Sequence, residues 1–274
     1  MKISLARWCH QVFGPQWGIE EFCDVAKKIG ADGIELAPTS EWATIRNAGL
    51  KMPLALLDFG ETPPFSIGWN NLSQHEQVAT ETLRLIRECE SSQGLCNKVI
   101  AFSGMTIPGQ SISRSRSNCV RGMMSTGVIK AAEAAGVSLS FEPLNDKVAI
   151  DWRGHPGYEA TTFEYVREIS GGAQSERLGG LFDVYHRQLM EGDIANGLRE
   201  NNQTINHIHV AGVGPKIPRG ELNVGPQELS WRGIGQLIRD ELPESVWVGV
   251  EYIPTEGRDY IDDLKAAVDM LRGN

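Results

Sequence analysis

Short apolar runs alternate with longer stretches of helical period along the chain. The apolar runs predict strands at 2–6, 33–36, 52–57, 98–102, 137–142, 179–183, 205–210 and 246–251. Between them the pattern predicts helices at 18–29, 40–48, 73–92, 116–135, 160–169, 191–200, 229–240 and 258–272. The first helix shows the logic: Phe22, Val25, Ala26 and Ile29 fall on one face, and Gly30 follows as a stop signal. Eight strand–helix units imply parallel strands joined by right-handed crossovers. The expected architecture is an α/β fold, a (β/α)8 TIM barrel, with residues 1–274 as a single domain. An open doubly wound sheet is the alternative, but no G-x-G-x-x-G follows the first strand.

Four of the predicted strands end in a polar side chain. They are Val137-Ser138-Leu139-Ser140-Phe141-Glu142, Gly180-Leu181-Phe182-Asp183, Ile205-Asn206-His207-Ile208-His209 and Val246-Trp247-Val248-Gly249-Val250-Glu251. In a closed barrel such ends share one rim, where active sites form. Glu142, Asp183, His209 and Glu251 then converge as three oxygen ligands and one nitrogen. That donor set suits one divalent ion of the Mg or Mn type, with Co also tolerated. A single carboxylate at a strand end is more often a helix cap or an ion-pair partner; four in consecutive strands point to a site. Glu142 and Glu251, flanking the ion, are placed to shuttle a proton between neighbouring carbons.

Other residues could serve the same pocket. His186 lies three residues after Asp183 and could bond a substrate oxygen, or simply start a helix with solvent access. Arg219, in the loop 211–228, could hold a substrate carboxylate or hydroxyl through two parallel hydrogen bonds, with Lys216 a weaker candidate; a surface arginine fits the sequence equally well. His207 shares the face of His209 and is read as a supporting neighbour of the site or a packed core histidine. Glu35 ends the second strand, either orienting the site from behind or neutralising Arg7. Trp8, His10, Phe59 and Trp69 suit an aromatic wall or ordinary core packing equally. Ser111 to Ser117 reads as a solvated loop before a helix. The long loops 58–72, 143–159 and 211–228 all follow strand C-termini, where loops act as lids.

Charge and composition narrow the partners. A net charge of -9 argues against nucleic acid and anionic membranes, leaving a small-molecule substrate and room for a homo-oligomer. Five cysteines cannot all pair within one chain, which suggests a reducing compartment. The N-terminus lacks a signal-like apolar stretch, and no run approaches the ~20 residues of a membrane span; a cytoplasmic location is expected. No Gly-x-Ser-x-Gly, P-loop or His-Glu-x-x-His is present.

Several motifs carry a resemblance. Phe141-Glu142-Pro143-Leu144-Asn145, Phe182-Asp183-Val184-Tyr185-His186-Arg187-Gln188, His207-Ile208-His209-Val210-Ala211, Gly220-Glu221-Leu222-Asn223 and Gly249-Val250-Glu251-Tyr252-Ile253-Pro254 resemble the hydroxypyruvate isomerase family. That family sits within the xylose-isomerase-like barrel superfamily of sugar isomerases and epimerases. The N-terminal half matches more loosely, through Gly30-Ala31-Asp32-Gly33-Ile34-Glu35-Leu36. The resemblance implies that Glu142, Asp183, His209 and Glu251 bind the metal, that the two glutamates exchange protons with substrate, and that His186 and Arg219 touch substrate oxygens. It implies an isomerase, with hydroxypyruvate to tartronate semialdehyde as the leading reaction. The family often carries glutamine where this chain has His209, whereas related ketose 3-epimerases carry histidine. That keeps open a ketose 3-epimerase, a four-carbon oxo-acid isomerase or an inosose-type dehydratase. The loop 146–159 is longer than the family's usual stretch and could reshape the pocket. A repair endonuclease of the same superfamily would need many zinc-binding histidines, and this chain has six histidines in all.

Overall fold

In the computed structural model, which describes residues 1–215 and 218–274, the strands are β1 (Lys2–Ala6), β2 (Gly33–Glu35), β3 (Lys98–Ala101), β4 (Ser138–Phe141), β5 (Leu178–Asp183), β6 (Ile205–Val210) and β7 (Trp247–Val250). The helices are α1 (Arg7–Val12), α2 (Ile19–Ile29), α3 (Trp42–Asn47), α4 (His75–Ser91), α5 (Ile112–Ser125), α6 (Val128–Ala135), α7 (Phe163–Ala173), α8 (Val184–Met190), α9 (Ile194–Glu200), α10 (Trp231–Glu241) and α11 (Tyr260–Arg272). They belong to two compact units: Met1–Pro53 with Asp193–Asn274, and Leu54–Gly192.

In the first unit the strand order is β2-β1-β7-β6, all parallel. Leu5 lies opposite both Ile34 and Val250, and His209 opposite Gly249. α2 buries Phe22, Val25, Ala26 and Ile29, the predicted face. Gly30 ends it at φ 80°, its N–H returning to the carbonyls of Ala26 and Lys27. Each large apolar side chain withdrawn from water in this way contributes about 1.5–3 kcal/mol. In the second unit the order is β5-β4-β3, again parallel, with Phe141 opposite Ala101 and Gly180.

Three expectations are corrected. First, 52–57 is not a continuous strand, so the described residues contain seven strands rather than eight. Lys51 bridges Gly33 in the first unit, and Ala55 bridges Val99 in the second. Pro53, between those bridges, has no N–H to give a ladder. Second, the helix predicted at 116–135 is two helices, broken at Gly127, whose φ of 79° is left-handed. Third, Ser111–Ser117 is mostly helix: the Ser111 hydroxyl accepts the Arg114 N–H at 3.3 Å and caps α5, while Ser115, Asn118 and Cys119 turn inward.

Candidate functional site

In the first unit, β6 puts His207 and His209 on one face, both fully buried, with their rings 5.3 Å apart and nearly perpendicular. Between them stands the carboxylate of Glu35, also fully buried. Its Oε1 lies 2.8 Å from His209 Nε2, and its Oε2 lies 3.0 Å from His207 Nε2 and 2.5 Å from the Ser4 hydroxyl. Burial alone would raise this carboxyl; the two imidazoles outweigh it and hold Glu35 well below the usual carboxylate range. Arg7 is not its partner: Arg7 pairs with Glu41 at 2.8 Å, so the neutralising role considered for Glu35 falls away. Glu35, His207 and His209 each offer one ligand atom within 4.8 Å of the others, a buried cluster that could hold a metal. The cluster needs Gly249 beside it, because a Cβ there would stand 1.8 Å from Glu35 Oε1.

Glu251 directly follows β7. Its Oε2 lies 3.0 Å from His209 Nδ1 and accepts from the Arg219 guanidinium at 2.6 Å; its Oε1 accepts the Trp8 indole N–H at 2.7 Å. Burial pushes this carboxyl up, but His209 and Arg219 prevail and lower it to about 2. Arg219 is itself buried, its guanidinium 5.3 Å over the Trp8 ring. Its backbone is left-handed at φ 56°, pinned by hydrogen bonds from its N–H to Gly212 and from Ile253 N–H to its carbonyl. The Glu221 carboxylate accepts the Thr255 N–H at 2.6 Å and its hydroxyl at 2.9 Å. Glu221 thus ties the Gly-Glu-Leu-Asn stretch to Thr255, just after Glu-Tyr-Ile-Pro, and with the Ile253 N–H on the Arg219 carbonyl this holds the Arg219 backbone next to the segment that carries Glu251. Lys216 lies outside the described residues.

In the second unit Glu142 follows β4 and is buried. Its N–H donates to Ala101 and its carbonyl accepts the Tyr158 hydroxyl at 2.9 Å. Tyr158 in turn accepts the Ser103 N–H, and burial raises its phenol. Asp183 ends β5, and its Oδ1 caps α8 by accepting the N–H groups of Tyr185 and His186 at 2.7 and 3.1 Å. The cap reading and the site reading of Asp183 are thus compatible, since the second oxygen lies apart from the cap, 3.6 Å from His186 Nε2. His186 is buried, not a solvent-facing helix start. Its Nδ1 accepts the Asn145 N–H at 3.1 Å, which leaves the ring proton on Nε2. The loop 146–159 folds onto this group: Asn145 donates to the Arg153 carbonyl, and the His155 ring packs against Phe65 at 4.2 Å and His186 at 5.5 Å.

Three contributors to this geometry have no role in the sequence reading, Ser4, Gly249 and Glu221, and Trp8, read there as an aromatic wall or core packing, contributes its indole N–H. A serine inside Ile3-Ser4-Leu5-Ala6 was the available signal, because a buried hydroxyl needs a partner. His10 and Trp69 are fully buried; His10 packs among Trp17, Phe22 and Tyr252.

The profile of the family described as "Xylose isomerase-like TIM barrel" matches residues 23–273. A Cupriavidus necator protein named 2-oxo-tetronate isomerase is 35% identical over 127 residues, 46% of this chain and 44% of that protein. The chain therefore aligns with less than half the length of that relative. A Mus musculus protein named putative hydroxypyruvate isomerase is 24% identical over 86% of this chain and 84% of its own length. Among solved structures, a D-psicose 3-epimerase with D-tagatose from Clostridium cellulolyticum H10 superposes with a TM-score of 0.75, covering 99% of this chain and 98% of that one at 15% identity.

Proposed function

The chain belongs to the xylose isomerase-like TIM barrel family, and from that premise we propose that it is a divalent-metal-dependent isomerase of a small hydroxy-keto acid or sugar. In a TIM barrel every strand delivers its C-terminal residue to one face. Glu142, Asp183, His209 and Glu251 all stand at or just after such ends, which supports reading them as one ligand set. The profile's span likewise supports residues 1–274 as a single barrel domain.

The observation that carries the reading is the pairing of His209 with Glu251. Glu35 faces Nε2, so Nδ1 is the nitrogen turned toward a Glu251 oxygen 3.0 Å away, an oxygen that also accepts from Arg219 at 2.6 Å. One imidazole nitrogen and one carboxylate oxygen at that separation are two of the donors such an ion takes. Neighbouring ligands at right angles on an ion with bonds of about 2.1 Å stand about 3.0 Å apart, so the donor set fits Mg or Mn. When bound, such an ion supplies charge stabilisation for an enediolate.

The protein groups do the remaining work. Glu142 and Glu251, as carboxylates, take a proton from one substrate carbon and return it to the next. Trp8 and Arg219 hold Glu251 in one orientation. The Nε2–H of His186 is placed to bond a substrate oxygen. Arg219 binds a substrate carboxylate, which favours acids over neutral sugars. Hydroxypyruvate to tartronate semialdehyde is the leading reaction. A four-carbon oxo acid is the second reading, supported by the Cupriavidus necator relative. Buried, unbridged cysteines support a cytoplasmic setting.

The test is an NMR assay in D2O with metal-stripped and Mn-loaded protein, offered hydroxypyruvate, four-carbon oxo acids and ketoses. Mn-dependent conversion with deuterium entering beside the carbonyl is the expected result. Metal bound but no exchange on any substrate would remove the proton-transfer reading.

A further inference from the structure

We infer that Glu35 is a positioning residue: by standing against Nε2 of His209 it fixes that ring's orientation and presents Nδ1 as the ligand nitrogen. The inference rests on the metal-site reading above and deepens it. Three side chains from two strands meet on this carboxylate, Ser4 from β1 and the two imidazoles from β6. The His209 nitrogen that faces it is Nε2, at 2.8 Å, so Nδ1 is the nitrogen on the side of Glu251.

The packing around the pair supports a dedicated arrangement rather than filler. Ser4, Glu35, His207 and His209 have no exposure to solvent, and burying four polar side chains together costs free energy that apolar residues would avoid. β7 makes room for them with Gly249, which lies opposite both Ser4 and His209 in the sheet. A Cβ at 249 would stand 1.8 Å from Glu35 Oε1 and 2.8 Å from His209 Cδ2. His207 takes the other oxygen of Glu35 and so keeps the carboxylate from rotating away from His209. Outer partners of this kind orient a ligating imidazole and raise its basicity, and their loss typically weakens metal affinity about 10–100-fold.

Two measurements on the full chain test this. The first is the 15N spectrum of histidine-labelled protein before and after Mg2+ is added, with His209 assigned by a His209→Gln variant. The expected result is a large shift of Nδ1 on binding, with Nε2 left unligated. A metal-bound Nε2 would overturn the inference. This readout uses the unaltered chain, so it decides the matter even if a variant fails to fold. The second is the Mn2+ dissociation constant, read by electron paramagnetic resonance. Glu35→Gln offers one acceptor to two imidazoles, and Gly249→Ala pushes the carboxylate off His209. Both should bind Mn2+ about 10–100-fold more weakly with an unchanged circular dichroism spectrum. Folded variants with wild-type affinity would sink the positioning role while leaving the metal site intact. Wild-type protein that binds no Mn2+ would remove the metal reading itself, a different failure.

Discussion

Glu251 has the clearest division of labour of any residue in the chain. Its oxygens receive Trp8 on one side and Arg219 with His209 on the other. Glu251→Gln keeps an oxygen for an ion but cannot exchange a proton. Turnover should fall by at least about 10²–10⁴-fold, the usual worth of a positioned acid–base group, while Mn2+ binding is partly kept; unchanged turnover would end the two-glutamate mechanism. His10 carries a pH prediction. Burial first, and the Arg7 charge second, lower its imidazole from an ordinary 6.5 to about 3. The folded state therefore holds His10 neutral, while the unfolded chain protonates below 6.5. Stability from this group is fully present above pH 6.5 and lost as pH falls toward 3. Between pH 7.5 and 5 the loss is about 2 kcal/mol, taking 1.36 kcal/mol per pH unit. Urea denaturation of wild type and His10→Gln at both values should show it as a shallower pH slope in the variant.

The elements with strong local signals were legible in the chain, and their boundaries were legible to within a few residues. α2 has the predicted limits almost unchanged, because an unbroken apolar face and a terminal glycine mark it without help from the rest of the fold; β6 runs over the predicted 205–210. α1 and α8 were not foreseen, since each is a short helix started by the strand before it. The strand expected at 52–57 misled because apolar content does not reveal where Pro53 interrupts pairing. Capping is testable at this scale. The Asp259 carboxylate accepts from Ile261 and Asp262 N–H at 3.1 Å and starts α11. Asp259→Ala should cost about 1 kcal/mol and lower the melting temperature by roughly 2–4 °C. A calorimetric midpoint equal to that of wild type would show the cap to be idle.

For the molecule as a whole, ligand linkage gives the broadest check. Mn2+ at 100 times its dissociation constant should stabilise the fold by about 2.7 kcal/mol, and a chelator should reverse it. A melting curve insensitive to both would count against a resident ion. Among the described residues no helix is long and apolar enough to cross a membrane. The sequence by itself determined the repeated strand–helix rhythm and the strand ends that carry Glu142, Asp183, His209 and Glu251, because periodicity and termination are local properties of a chain. It could not assign partners. That Glu35 serves two histidines while Arg7 turns to Glu41, that Glu221 ties two loops around Arg219, and that Gly249 is demanded by a carboxylate from another strand were decided only by tertiary structure. Hydrogen bonds and steric contacts join atoms dozens to more than two hundred residues apart, and no spacing rule along the chain encodes which of several buried charges will meet.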